Sequence, residues 1–177
     1  MTMADAGALY RLMSWLSPSY PVGAFAYSHG LEQAVETGRV TDVATLTAWI
    51  DAVLIHGTGA VDGPLFRETY AAVWTSDWPL LEEIAALGAA FQASAEFALE
   101  SRSQGDAFLK ATRGAWPAAA LDRLDACAVY PVAVAAACAA HRIPVADGLA
   151  AYFHAFSANL VSAGVRLVPL GQSDGQA

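Results

Sequence analysis

Positive charge is scarce in this chain. Lysine and arginine supply only 9 of its 177 residues against 17 aspartates and glutamates, so the formal net charge is −8. Nucleic acids and anionic membrane surfaces are bound through clusters of basic side chains, and the sequence predicts neither kind of ligand. Charged residues of either sign make up 15% of the chain, against about a quarter in a typical protein. The surface is therefore expected to carry apolar area, which usually marks contacts with a partner protein.

Cysteine and long hydrophobic runs are also scarce. The two cysteines, Cys127 and Cys138, are too few for a disulfide framework and predict a reducing compartment. The longest apolar run, from Ala126 to Ala140, is too short to cross a bilayer and contains Pro131. The first residues do not combine a basic stretch with an apolar one, as a secretory signal does. We therefore expect a cytoplasmic protein.

Alanine and helical spacing dominate what is present. Apolar residues make up 56% of the chain, many of them alanine, which has the highest helix propensity. Asp62-Gly63-Pro64, Pro117, Pro131 and Pro144 are each expected to start a helix, because proline is tolerated in a first turn. The strict alternation typical of strands is absent from the sequence. We predict a single all-α domain over residues 1–177, an orthogonal helical bundle of roughly eight to ten helices.

No arrangement typical of an enzyme active site is visible in the sequence. Ser28 and His29 are adjacent, and adjacent side chains on a helix do not face each other. Glu96 and Glu100, four residues apart, fit a solvated charged face, and no inward-facing pair of carboxylates is expected. The glycine-containing run 57–60 lacks the lysine and the preceding strand of a phosphate-binding loop. We predict that the chain is not an enzyme and does not bind GTP itself.

Cys138 and His141 have a spacing that metal ligands can use. They are three residues apart, which places both on one face of a helix. A closed zinc or nickel site usually needs further Cys, His or carboxylate ligands, and none is close in sequence. A buried cysteine in an alanine-rich helix more often serves packing. Metal binding by this pair stays open as an alternative at this stage.

Two segments are unusual for a plain helical domain. The first, from Ser17 to Glu32, places two prolines and two glycines in a turn between helical stretches. The second runs from Arg166 to Gln176 near the other end of the chain. With Asp62-Gly63-Pro64 and the segment from Glu100 to Gly105 between them, in this order, they resemble the UreF family of urease accessory proteins over nearly the whole chain.

The resemblance implies an all-α, usually dimeric and non-enzymatic protein. UreF proteins join a scaffold protein, UreD (also called UreH), and the GTPase UreG in a complex that loads nickel into apo-urease. We therefore expect these partners and a homodimer, with nickel and GTP acting through the partner proteins and no cofactor bound directly. The alternative is a small nickel-binding metallochaperone that uses Cys138 and His141.

By the same resemblance, three parts of the chain are expected to face partner proteins: the turn, the final helix on the GTPase side, and the segment after it on the scaffold side. The residues carried over are Pro18, Tyr20, Pro21, Phe25, Tyr27 and His29 in the turn, Tyr152 and His154 in the final helix, and Arg166, Pro169, Leu170 and Gln172 at its end. UreF chains continue past this last segment with a further helix and tail, which this chain is expected to lack.

Overall fold

The computed structural model of the chain describes residues 5–24, 27–125, 128–171 and 173–175. In that part of the chain the regular elements are all helices: α1 (Ala6–Trp15), α2 (Leu31–Glu36), α3 (Val43–His56), α4 (Thr58–Thr75), α5 (Trp78–Ala90), α6 (Ala95–Ala115), α7 (Ala119–Asp122), α8 (Tyr130–Ala140) and α9 (Val145–Leu167). The prediction of an all-α bundle is confirmed. Helices α7, α8 and α9 begin close to Pro117, Pro131 and Pro144, as expected.

Helix α8 forms the centre of the bundle. Its residues from Pro131 to Ala139 are all buried. A helix that is apolar on every side must be covered on every side. Helices α4 and α6 lie against it most extensively, and α5, α7 and α9 add to the cover. The alanine-rich sequence of α8 is thus explained by its place in the core.

A smaller hydrophobic cluster lies beside this core. It is built from buried side chains of α2, α3 and the second half of α9, among them Leu31, Leu46, Ile50 and Leu160. Helix α9 also contributes Tyr152 to the larger cluster. This one long helix therefore joins the two clusters.

Side-chain caps fix the start of several helices. Asp5, Asp42, Asp77 and Ser94 each accept a hydrogen bond from a backbone N–H in the first turn of α1, α3, α5 and α6. These backbone groups have no partner within the helix, so each cap replaces a bond to water. In α3, the backbone N–H of Asp42 donates to the side-chain oxygen of Thr45, which completes a capping box.

The expectation that Asp62-Gly63-Pro64 starts a helix is wrong. Helix α4 already begins at Thr58 and carries Pro64 inside it. Proline in a helix removes the hydrogen bond to the carbonyl four residues earlier, which here belongs to Ala60. Ala60 is exposed, so water can reach this carbonyl and the helix continues through the proline.

Within the described residues, no single helix has both the length and the apolar character of a membrane span. Only α3 and α4 taken together reach that length and hydropathy, and they are bent by 43° at their junction. Leu46, Ile50 and Phe66 of these two helices are buried in the hydrophobic clusters of the bundle.

Candidate functional site

A chain of tight turns connects α1 to α2 and is called the strap here, defined as residues 17–24 and 27–30. The Tyr20 N–H donates to the Ser17 carbonyl over 2.9 Å, and the Val22 N–H donates to the Tyr20 carbonyl over 2.8 Å. Gly23 has a φ of 73°, in the left-handed region that glycine adopts without strain. The proline- and glycine-rich sequence thus produces a compact, non-helical segment.

The strap is attached to the bundle near both of its ends. At the first end, the Tyr20 hydroxyl lies 2.8 Å from the Thr112 hydroxyl, and its ring packs against Phe108. At the second end, His29 Nε2 lies 3.3 Å from a carboxylate oxygen of Glu100. Burial raises the pKa of the Tyr20 hydroxyl, which therefore stays protonated.

A cavity of about 300 Å³ lies under the strap. Its walls come from the strap, from Glu100 and Gln104 of α6, from Tyr130 of α8, and from α9 between Tyr152 and Ser162. Most of this lining is apolar or aromatic. Two of its polar side chains, His29 and Gln104, contact Glu100. A mostly apolar wall with a few polar groups is typical of binding pockets in proteins.

Two carboxylates are buried at or next to the walls of this cavity. Asp62 of α4 accepts a 2.6 Å hydrogen bond from the hydroxyl of Tyr152. Glu100 of α6 accepts a 3.1 Å hydrogen bond from Gln104, in addition to its contact with His29. Buried carboxylates are rare unless they are paired or hydrogen-bonded, and each of these two has such partners.

Burial shifts the protonation of the Asp62–Tyr152 pair. Loss of water around the Asp62 carboxyl raises its pKa from 3.8 to about 6. The Tyr152 hydrogen bond and the nearby His29 lower this pKa, and the nearby Glu100 raises it. The pKa of the Tyr152 hydroxyl is itself raised, first by burial and then by the adjacent Asp62. Tyr152 therefore keeps its proton and acts as the donor.

The sequence-based expectations about the carboxylates are wrong in two respects. Glu96 is exposed as expected, whereas the Glu100 side chain is only 11% exposed. Asp62 and Glu100 are both buried, and the nearby Glu100 raises the pKa of Asp62, so two inward-facing carboxylates lie in one region of the bundle. Helical spacing could have revealed it, because Glu100, Gln104 and Phe108 follow one another at intervals of four residues on one face of α6.

Comparison with known proteins identifies the family. Residues 40–177 match the family model UreF. The chain belongs to the UreF family. It is 52% identical to the "Urease accessory protein UreF" of Granulibacter bethesdensis over 173 residues, which cover 96% of this chain and 73% of that protein. It is 48% identical over 180 residues to the protein of the same name from Rhodopseudomonas palustris strain BisB5, with 99% of this chain and 74% of that protein covered.

In this UreF-family chain, the cavity brings together the turn and the first part of α9 that the resemblance singled out. Pro18, Tyr20, Tyr27, His29, Tyr152 and His154 all line it. Pro18 and His154 are exposed, and Pro21 is exposed on the strap as well. The side chains of His29 and Tyr152 are buried. Phe25 lies outside the described residues, and a partner-facing role for this group stays a prediction.

The remaining residues of the expected partner surface lie at the far end of α9. The Arg166 guanidinium donates to the Ser162 hydroxyl over 3.1 Å. Pro169 is exposed, and Leu170 packs against the smaller hydrophobic cluster. None of these three residues lines the cavity, although Arg166 and His154 both line a second, neighbouring pocket. Gln172 lies outside the described residues.

Cys138 and His141 lie in different surroundings in this UreF-family chain. Cys138 is fully buried, whereas His141 follows the last residue of α8, its Nε2 lying 3.2 Å from the Trp116 carbonyl and its ring against Trp15. In the described part of the chain, no three His, Cys, Asp or Glu side chains are grouped so that they could hold a metal ion. The metallochaperone alternative is therefore not favoured.

Cys138 is expected to resist alkylation in the folded protein. The thiolate is the reactive form of cysteine, and burial raises the pKa of the Cys138 thiol to about 12. Treatment with iodoacetamide at pH 8, followed by peptide mass mapping, should label this cysteine at least about 20-fold more slowly in the native chain than in denaturant. Equal labelling rates in the two conditions would contradict the burial of α8.

Proposed function

We propose that this chain is a non-enzymatic adaptor in urease maturation. It joins a UreD (UreH) scaffold protein to the GTPase UreG in the cytoplasm while nickel is inserted into apo-urease, and through this contact it influences the GTPase. The proposal is supported by the family match and by relatives that are named urease accessory proteins. Those names describe a protein that assists an enzyme.

The observation that carries the adaptor proposal is the amount of apolar surface. Seven large apolar side chains are each more than half exposed. Six of them lie on four helices and one directly follows α5: Leu9, Tyr10, Met13, Ile55, Trp74 and Leu99, and Phe91 after α5. Extended apolar surface usually marks protein–protein contacts. Aromatic residues and methionine are enriched in such interfaces. We therefore expect more than one partner, and the homodimer implied by the resemblance is part of the proposal.

The contacts among polar groups around the cavity support the expectation that the chain itself binds neither nickel nor GTP. Glu100 is engaged by Gln104 and His29, and Asp62 by Tyr152. Both carboxylates therefore hydrogen-bond to side chains of the protein and do not face an open position for a ligand. In the proposal, nickel and GTP are held by the partner proteins.

Assembly with the partners tests this function directly. The chain would be mixed with its cognate UreD and UreG, with and without nickel and GTP, and analysed by size-exclusion chromatography with light scattering. The proposal predicts a ternary complex. A folded chain that stays apart from both partners under every condition would contradict it.

Replacing His154 with alanine is expected to weaken partner binding at least about 10-fold, because a few side chains carry most of the binding energy of an interface and the proposal places His154 among them. His154 is exposed where α9 borders the cavity. The matched control is His56→Ala, which removes an exposed histidine at the end of α3 and should leave affinity unchanged. Titration of UreG and of UreD by biolayer interferometry measures both variants, and equal effects of the two would contradict a partner site at the cavity.

A further inference from the structure

The polar attachments of the strap converge on a single helix. His29 contacts the carboxylate of Glu100, and the Tyr20 hydroxyl is hydrogen-bonded to the Thr112 hydroxyl. Glu100 and Thr112 both belong to α6, and the rise of an α-helix separates them by about 18 Å. The strap therefore runs lengthwise along α6 and is held near each end, so its orientation depends on both attachments.

The backbone at the second attachment is held in an unusual conformation. His29 has a φ of 48° and Gly30 a φ of 76°. The left-handed region is sterically unfavourable for a non-glycine residue. Such a conformation persists only when the surroundings hold it in place, and the contacts of the His29 side chain are one source of that restraint.

The surroundings of His29 explain how the restraint works. Its ring stacks on Phe97 at 5.3 Å and packs against Phe156 at 4.8 Å between ring centroids. Its side chain is 8% exposed, and its Nδ1 is buried without a hydrogen-bond partner among the described residues. Glu100 is thus the one polar group that holds the imidazole in this part of the structure.

Glu100 is fixed in turn by its own helix. The Gln104 side chain donates to the same carboxylate oxygen that faces His29. A buried polar pair of this kind adds little net stability, because removing both groups from water costs about as much as their attraction returns. Its main effect is to select one geometry.

We propose that His29 and Glu100 are positioning residues that hold the strap in the orientation in which it meets a partner protein. This inference rests on the adaptor function proposed above, since it concerns the way the strap is presented. Loss of the pair leaves the bundle folded, because α6 and α9 keep their own packing. The second end of the strap then leaves the left-handed geometry at His29 and moves away from α6.

Hydrogen exchange of the intact chain tests the attachment without any partner. His29→Asn keeps a residue that tolerates the left-handed region and removes the imidazole, and Glu100→Gln removes the charge. Each is expected to raise the exchange rate of the Tyr27 and Leu31 amides by at least about 10-fold, because both amides bond only to carbonyls within the strap. Amides of α3 should be unaffected. The matched control is Glu96→Gln, the same change at an exposed position one turn earlier in α6.

The double variant decides whether the two residues act together. If they form one attachment, the exchange rates of His29→Asn/Glu100→Gln should exceed those of the faster single variant by no more than about 3-fold. The proposal would be overturned if the rate increase in the double variant equalled the product of the two single increases. It would also be overturned if neither single variant changed the exchange rates.

The affinity of the variants for UreD and UreG then tests whether the orientation of the strap matters for partner binding. Both single variants are expected to bind at least one partner about 10-fold more weakly, while Glu96→Gln binds normally. A freed strap with unchanged affinity for both partners would overturn the positioning role and leave the adaptor function standing. A wild-type chain that binds neither partner would instead defeat the adaptor function, and the exchange data would still decide whether the pair holds the strap.

Discussion

Replacing Gly105 with alanine is expected to lower the free energy of unfolding by about 3 kcal/mol, at the upper end of typical overpacking costs. A Cβ at this position would lie 2.0 Å from the carbonyl oxygen of Ala128 and 3.1 Å from the carbonyl carbon of Val129. These are backbone atoms, which cannot rotate away as a side chain can. Helix α6 would have to separate from the chain that leads into α8, and a cavity would open beside the core.

Gly114→Ala is the matched control, because it is the same change on the same helix. A Cβ at Gly114 would have no heavy atom within 4 Å, and the position is exposed. Alanine should stabilise the helix there by about 0.5–1 kcal/mol. Urea denaturation of both variants measures the difference, and similar midpoints for the two would show that α6 is not in close contact with residues 128 and 129 at Gly105.

Helix positions could largely be predicted from the sequence, because their signals are local. Pro117, Pro131 and Pro144 lie close to the starts of α7, α8 and α9, since proline restricts its own φ and the residue before it. The same reasoning failed at Pro64. Whether a proline starts a helix or lies inside it depends on whether the lost hydrogen bond can be replaced, and the exposure of Ala60 is decided by tertiary structure.

The candidate site could be predicted only in part, because its contacts join distant parts of the sequence. The turn was recognisable from its prolines and glycines and does border the cavity. The contacts between His29 and Glu100 and between Asp62 and Tyr152 depend on how α4, α6 and α9 pack. The sequence around Glu96 and Glu100 favours a solvated face, because the basic residues Arg102, Lys110 and Arg113 are nearby. The neighbours Gln104 and Phe108 on the same face would have indicated the interior.

Asp62→Asn is expected to remove a large part of the pH dependence of stability. The folded-state pKa of Asp62, about 6, lies above its ordinary value of 3.8 because the carboxyl is desolvated. A carboxyl with a raised folded-state pKa binds more protons in the folded than in the unfolded chain between these values. Its contribution therefore favours folding at low pH and is lost as the pH rises through 6. Between pH 4.5 and pH 7.5 this amounts to about 2 kcal/mol.

Urea denaturation at pH 4.5, 5.5, 6.5 and 7.5 gives the free energy of unfolding of the wild-type and variant chains. The contribution of Asp62 is the change with pH in the difference between these two free energies. The wild type should lose about 2 kcal/mol relative to Asp62→Asn as the pH rises, because asparagine can accept the Tyr152 hydrogen bond at every pH and never becomes charged. Asp106→Asn, the same change at an exposed position of α6, should run parallel to the wild type. If the Asp62→Asn curve were also parallel, the carboxyl would be solvated and the packing of α4 against α9 around Tyr152 would be wrong. A wild type that is less stable at neutral pH than its uncharged variant would mean that the buried carboxylate is kept at the expense of stability, as is common at functional sites.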